Sequence, residues 1–198
     1  KTTATSWFHE LRAKKMREFE VLENCHVSDV PEGLFEITET TRTAEDGADT
    51  GGGLMSVMRG GRVFEKVGIN VSTVFGTLGK SAQETMAARK ELPGMLEDPR
   101  FWATGISLVA HMQNPHCPAV HFNTRMFWTP HAWWFGGGSD LNPCIEYPED
   151  TAQFHSVLKT YCSPHGDDLY PRYKAWADEY FYVPHRKRAR GVGAVSYT

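Results

Sequence analysis

The feature that most constrains this chain lies between Thr104 and Trp128, where polar and apolar side chains alternate with a period of two. Successive side chains of a strand point to opposite sides of a sheet, so this pattern selects paired strands with one wet face and one dry face. Two strands are predicted, separated by the proline-containing loop Asn114–Pro118. In the first, Ser107, Val109 and His111 share a side. In the second, His121, Asn123, Arg125 and Phe127 share one side, while Val120, Phe122, Thr124 and Met126 share the other. The second row is a core face, which leaves the first for solvent or a ligand.

The surrounding sequence extends this reading to a mixed domain. Phe8, Leu11, Phe19 and Leu22 fall within one helical stripe, which predicts an amphipathic helix from Ser6, as N-cap, to about Cys25. Glu39–Gly53, rich in Thr, Asp and Gly, reads as a loop. Leu54–Met58 and Arg62–Val67 flank Arg59-Gly60-Gly61 as a hairpin, and Val71–Phe75 continues in β-prone residues. Ser81–Glu91 reads as a helical segment stopped by Pro93-Gly94. Trp133-Trp134-Phe135 is a third apolar strand, broken by Gly136-Gly137-Gly138. Asp150 is placed to cap a helix running to about Cys162, and Asp167 or Asp168 another, with Pro171 in its first turn and Pro184 at its end. No internal repeat or linker divides the chain, so residues 1–198 are expected to form one domain.

Several function classes recede at this point. A net charge of −3 opposes bulk attraction to nucleic acid. No stretch is apolar enough to be a membrane-spanning helix. The four cysteines form no C-x-x-C pair, so reduced thiols in a cytoplasmic protein are expected. There is no Walker A loop, G-x-S-x-G elbow, H-E-x-x-H or G-x-G-x-x-G motif.

Four groups of residues are suited to chemistry. His121, Asn123 and Arg125 combine a proton carrier, a two-way hydrogen-bonding amide and a carboxylate-matching fork on one strand face; a solvated face is the alternative. Gly136-Gly137-Gly138-Ser139-Asp140 joins close backbone approach to a carboxylate at a strand's end; a flexible loop is the alternative. His111, His121, His155 and His185 are metal-ligand types, but their spacing is not that of a local motif. The basic run His185–Arg190 could bind an anionic ligand, but such a run alone is more often a solvated loop.

Longer stretches carry a resemblance. Gly51-Gly52-Gly53 with Ser56, Val63–Gly68, Asn114-Pro115-His116 leading to His121-Phe122-Asn123, Trp133–Leu141, Asp168–Arg172, and His185-Arg186 to Arg190-Gly191 together resemble the oxygen-dependent coproporphyrinogen III oxidases. That resemblance implies an α+β fold, a broad antiparallel β-sheet with helices packed on both faces, and a homodimer. It implies oxidative decarboxylation of two propionates of coproporphyrinogen III to vinyl groups. The product is protoporphyrinogen IX; O2 is consumed, and CO2 and H2O2 are released. No organic cofactor is implied. By the same resemblance, Ser107, Asn123, Thr124 and Arg125 contact substrate and His121 donates a proton. Asp140 acts on a pyrrole N–H, and Arg186 and Arg190 hold propionates. His111, His121, His155 and His185 are implied ligands of a divalent metal. Two departures stand out. The family continues past Thr198 with a segment that aids dimer formation, and Gln153 stands where a histidine is often found. A porphyrin-binding fragment of the same fold without turnover is therefore a competing expectation.

Overall fold

In a computed structural model, the structure describes residues 1–25, 27–88, 94, 96–192 and 194–197. The first element is α1 (Thr2–Glu23). Strands β1 (Phe35–Thr43), β2 (Asp49–Arg59) and β3 (Phe64–Thr77) follow, then α2 (Lys80–Ala88). Next come β4 (Arg100–Met112), β5 (Ala119–Trp128), β6 (Trp133–Asn142), α3 (Pro148–Cys162) and α4 (Leu169–Tyr180). The short strands β7 (Tyr182–Val183), β8 (Arg188–Ala189) and β9 (Ala194–Tyr197) end the chain. Among the described residues, β1 to β6 and then β9 form a seven-stranded antiparallel sheet in that order. From β1 to β6, strands consecutive in sequence are neighbours in space; all are joined by short turns except β3 and β4, between which α2 intervenes.

Two layers cover this sheet. On one face, Met58, Val67, Ile69, Ile106, Leu108 and Ala110 are buried under Phe8 of α1, with Leu11, Met16 and Phe19 packed around them. Burial of each large apolar side chain contributes about 1.5–3 kcal/mol, so this face carries much of the stability. On the opposite face, Trp176 and Tyr180 of α4 overhang β5 and β6. Helices thus occupy both faces, as expected. The end of α1 is fastened by Glu23, whose buried carboxylate accepts backbone N–H groups from Gly33, Arg62, Val63 and Phe64. Burial pushes this carboxyl up, but those four donors outweigh it and hold Glu23 below the ordinary range. Gly61 makes the approach possible, since a Cβ there would lie 2.4 Å from a Glu23 oxygen.

Several boundaries differ from the sequence expectations. The first helix begins at Thr2, so Ser6 is inside it and not a cap, and Leu22 points to solvent. Glu39–Gly53 is not a loop: it supplies most of β1 and the start of β2, joined by a turn over 44–48. Beyond Phe35, β1 is exposed along its length, so no alternation marks it as a strand. Its threonines nevertheless suit an edge. Gly51, Gly52 and Gly53 belong in the strand because a Cβ at each would lie 2.0–2.2 Å from a neighbouring carbonyl oxygen. The glycine run 136–138 does not break the third aromatic strand either; β6 passes straight through it. Tyr147, not Asp150, occupies the N-cap of α3, and Asp150 sits in the first turn. Asp168 does take the N-cap position of α4. The helix after Ser81 is present as α2, while its expected stop at Pro93 falls outside the described residues. All four cysteines are free thiols.

Candidate active site

The polar face of β5 is where sequence alternation predicted it. Arg125 and Phe122 lie on opposite sides of the sheet, and His121, Asn123 and Arg125 line one cavity of about 460 Å³. Strand register supplies the next partner: His121 stands directly across from Asp140 of β6. On the same side of β6, the positions between Trp134 and Asp140 are Gly136 and Gly138, paired with Arg125 and Asn123. The cavity floor is therefore bare backbone bounded by an indole ring and a carboxylate. Phe127 stacks on Trp134 at 4.8 Å and on Phe101 at 5.6 Å. With Trp176 and Phe181 from the α4 side, these rings make an aromatic wall suited to a large, flat, apolar ring system.

The electrostatic centre is Asp140, only 1% exposed. His121 Nδ1 lies 2.6 Å from its Oδ1. Asn142 Nδ2 donates to Oδ2 at 2.9 Å, and Arg190 donates to the same oxygen from Nε at 3.0 Å and Nη2 at 2.5 Å. Burial raises the Asp140 carboxyl, but the bonds from Asn142, Arg190 and His121 outweigh it and hold the group below the ordinary carboxylate range. An ionised carboxylate only accepts, so the His121 proton sits on Nδ1 and Nε2 is left for chemistry. Asn123 Nδ2 approaches that Nε2 at 3.4 Å. Both oxygens of Asp140 are thus committed to side chains of the protein.

The remaining predicted residues are distributed unevenly. Arg190 is at the cavity but is tied to Asp140 and lies over the Phe181 ring at 4.7 Å. Arg186 is exposed and lines a separate cavity with Asn142, Glu146 and Arg190. Ser107 lies across from Asn123 on the same face, whereas Thr124 is buried on the other. His111 and His185 are exposed, and neither lines the His121 cavity. His155 spends both ring nitrogens internally, Nε2 donating to the Val192 carbonyl and Nδ1 accepting from the Tyr170 hydroxyl. Among the described residues no group of three or more His, Cys, Asp or Glu side chains is arranged to hold a metal ion. The four-histidine set implied by resemblance is therefore not brought together. The α4 aromatics escaped the sequence reading; the i, i+4 pair Trp176 and Tyr180 was the available signal.

The family model described as coproporphyrinogen III oxidase matches residues 6–198. The chain belongs to that family. Relatives named oxygen-dependent coproporphyrinogen-III oxidase agree. The protein of Rickettsia bellii strain RML369-C is 46% identical over 195 residues, covering 98% of this chain and 65% of its own length. That of Rickettsia peacockii is 43% identical over 197 residues, covering 100% of this chain and 67% of its own. This member of the coproporphyrinogen III oxidase family thus spans about two thirds of the length of the curated relatives it matches. No helix among its described residues is long and apolar enough to cross a membrane.

Proposed function

We propose that this chain carries the catalytic cleft of an oxygen-dependent coproporphyrinogen III oxidase. It would oxidatively decarboxylate two propionate side chains of coproporphyrinogen III to vinyl groups. The observation that carries this reading is the Asp140–His121 pair set into an aromatic-walled, glycine-floored cavity. For each propionate, one hydrogen leaves the carbon next to the ring and the carboxylate leaves as CO2. The two electrons released pass to O2, which takes up that hydrogen and one further proton to become H2O2. An electron-rich pyrrole can supply electrons to oxygen, so the protein's part is to orient the ring and move protons.

Each residue has a role in this reading. His121 moves protons at Nε2, and Asp140 holds the imidazole through Nδ1. Arg125 pairs with a substrate carboxylate, and Ser107 and Asn123 add hydrogen bonds beside it. Arg186 holds a propionate at the cleft's outer side. Arg190 fixes Asp140 and presents its remaining N–H edge to the substrate. O2 is the co-substrate, no organic cofactor takes part, and no step is assigned to a metal. The working form is a cytoplasmic homodimer.

Oxygen uptake with coproporphyrinogen III tests the reading, with mass spectrometry of the tetrapyrrole product. Oxygen consumption with a divinyl product is expected, and His121→Gln should lower its rate by about 10²–10⁴-fold. Tight binding of the tetrapyrrole without oxygen uptake would leave a binding protein and overturn the catalytic assignment.

A further inference from the structure

Arg125 and Arg190 flank the same cavity but are not equivalent. Arg190 is neutralised by Asp140. Arg125 is exposed and makes no ion pair among the described residues. On its far side from His121 lies a second cavity of about 360 Å³, bordered by Asn70, Ser72, Gly105, Ser107, Asn123 and Arg125. Among the described residues, no acidic side chain lines it.

Register explains why this cavity exists. Asn70 of β3, Ser107 of β4 and Asn123 of β5 stand in one row across the sheet. Ser72, Gly105 and Arg125 stand in the next row on the same face. Neighbouring strands are about 4.8 Å apart, so the Ser72 and Arg125 backbones are roughly 10 Å apart with only a glycine between them. A side chain at Gly105 would collide with Arg125, since its Cβ would lie 2.7 Å from the Arg125 Cβ. The amide of Asn70 is also oriented. Its Oδ1 accepts the Ser56 N–H at 3.2 Å, which leaves the Nδ2 donors for a ligand. One unpaired guanidinium with amide and hydroxyl donors, and no acid, is a site for a carboxylate.

We propose that Asn70 and Ser72 extend the carboxylate site of Arg125 and Ser107 across the sheet, completing a subsite that takes a propionate of the tetrapyrrole whose ring lies over the glycines of β6. Asn70 and Ser72 are specificity residues: they favour substrates that carry a carboxylate on the side pointing away from His121. This rests on the reading of the cleft as a tetrapyrrole site.

The test is equilibrium binding of coproporphyrin III, the non-reactive oxidised ring, to wild type, Asn70→Asp and Ser72→Asp. Asn70→Asp keeps the size and the acceptor for the Ser56 N–H but replaces the donors with a negative charge. Ser72 is exposed, so Ser72→Asp has no core to disturb. Each substitution should weaken binding about tenfold or more at low salt, the loss expected when a charge-assisted hydrogen bond becomes repulsion. Wild type that binds coproporphyrin while both variants bind equally well would overturn the subsite alone. Wild type that fails to bind would overturn the reading of the whole cleft, and the subsite with it.

Discussion

Among the described residues, two carboxylates are almost fully buried, Glu23 at 0% and Asp140 at 1% exposure, and both are held below the ordinary carboxylate range. Their partners differ. Among the described residues, Glu23 accepts only backbone N–H groups, from Gly33 and residues 62–64, on the apolar side where α1 ends. Asp140 accepts, among the described residues, only side-chain donors, from His121, Asn142 and Arg190, on the polar side. Backbone donors cannot titrate or swing away, so Glu23 acts as a fastening. A histidine donor can change its proton and an arginine can be approached by another anion, so Asp140 sits in a circuit that can respond to a ligand. The same depressed pKa therefore has opposite meanings, and the donor type decides between them.

The comparison breaks most sharply at His121. His121→Gln should lower turnover in oxygen uptake by about 10²–10⁴-fold, the range for losing a proton-transfer group, with binding of coproporphyrin changed little. Asp140→Asn should lower turnover in the same direction, because a neutral amide no longer enforces the Nδ1 proton. A raised Michaelis constant with normal turnover would instead make Asp140 a binding residue.

At Glu23 the expected loss is in stability. Glu23→Gln should cost about 3 kcal/mol in urea unfolding, since it weakens charge-assisted bonds and turns an NH2 group toward backbone donors. Turnover per folded molecule should stay near that of wild type. A large loss of turnover in fully folded Glu23→Gln would erase the distinction.

Acid titration sharpens it further. A carboxylate with a lowered folded pKa contributes stability that is complete above the unfolded carboxylate range and is lost as pH falls through the folded value. Both Glu23 and Asp140 have this sign. The urea midpoint should therefore fall as pH drops below the ordinary carboxylate range. Glu23→Gln should show a visibly shallower fall. An unchanged pH slope in that variant would mean that other groups carry the acid sensitivity.

The smallest effect is expected at Asn142. Asn142→Ala removes one neutral donor from Asp140, worth about 1 kcal/mol, and should reduce turnover by about fivefold. A loss as large as that of His121→Gln would promote Asn142 to an essential part of the circuit.

Where sequence reading succeeded, the signal was local. Alternation along 119–128 assigned His121, Asn123 and Arg125 to one face, and β5 presents them so. It failed where burial was uniform or side chains were absent. Beyond Phe35, β1 is exposed throughout and has no pattern to read. The glycines of β2 and β6 look like loop residues, yet in β2 close backbone contacts leave no room for anything else. The site was partly legible for the same reason. His121 and Asp140 were both marked, but their pairing across β5 and β6 was not.

The sequence by itself determined which side chains share a face, because a strand's period of two is a property of the local backbone. It also carried the family, through motifs spread from residue 51 to residue 191. Only the tertiary structure decided that Asp140 lies opposite His121, that Arg190 reaches that carboxylate from 50 residues away, and that His155 is turned inward. Those relations depend on strand register and on how α4 and the segment after it fold back over the sheet. Register is set by the packing of all the strands together, which no single segment encodes.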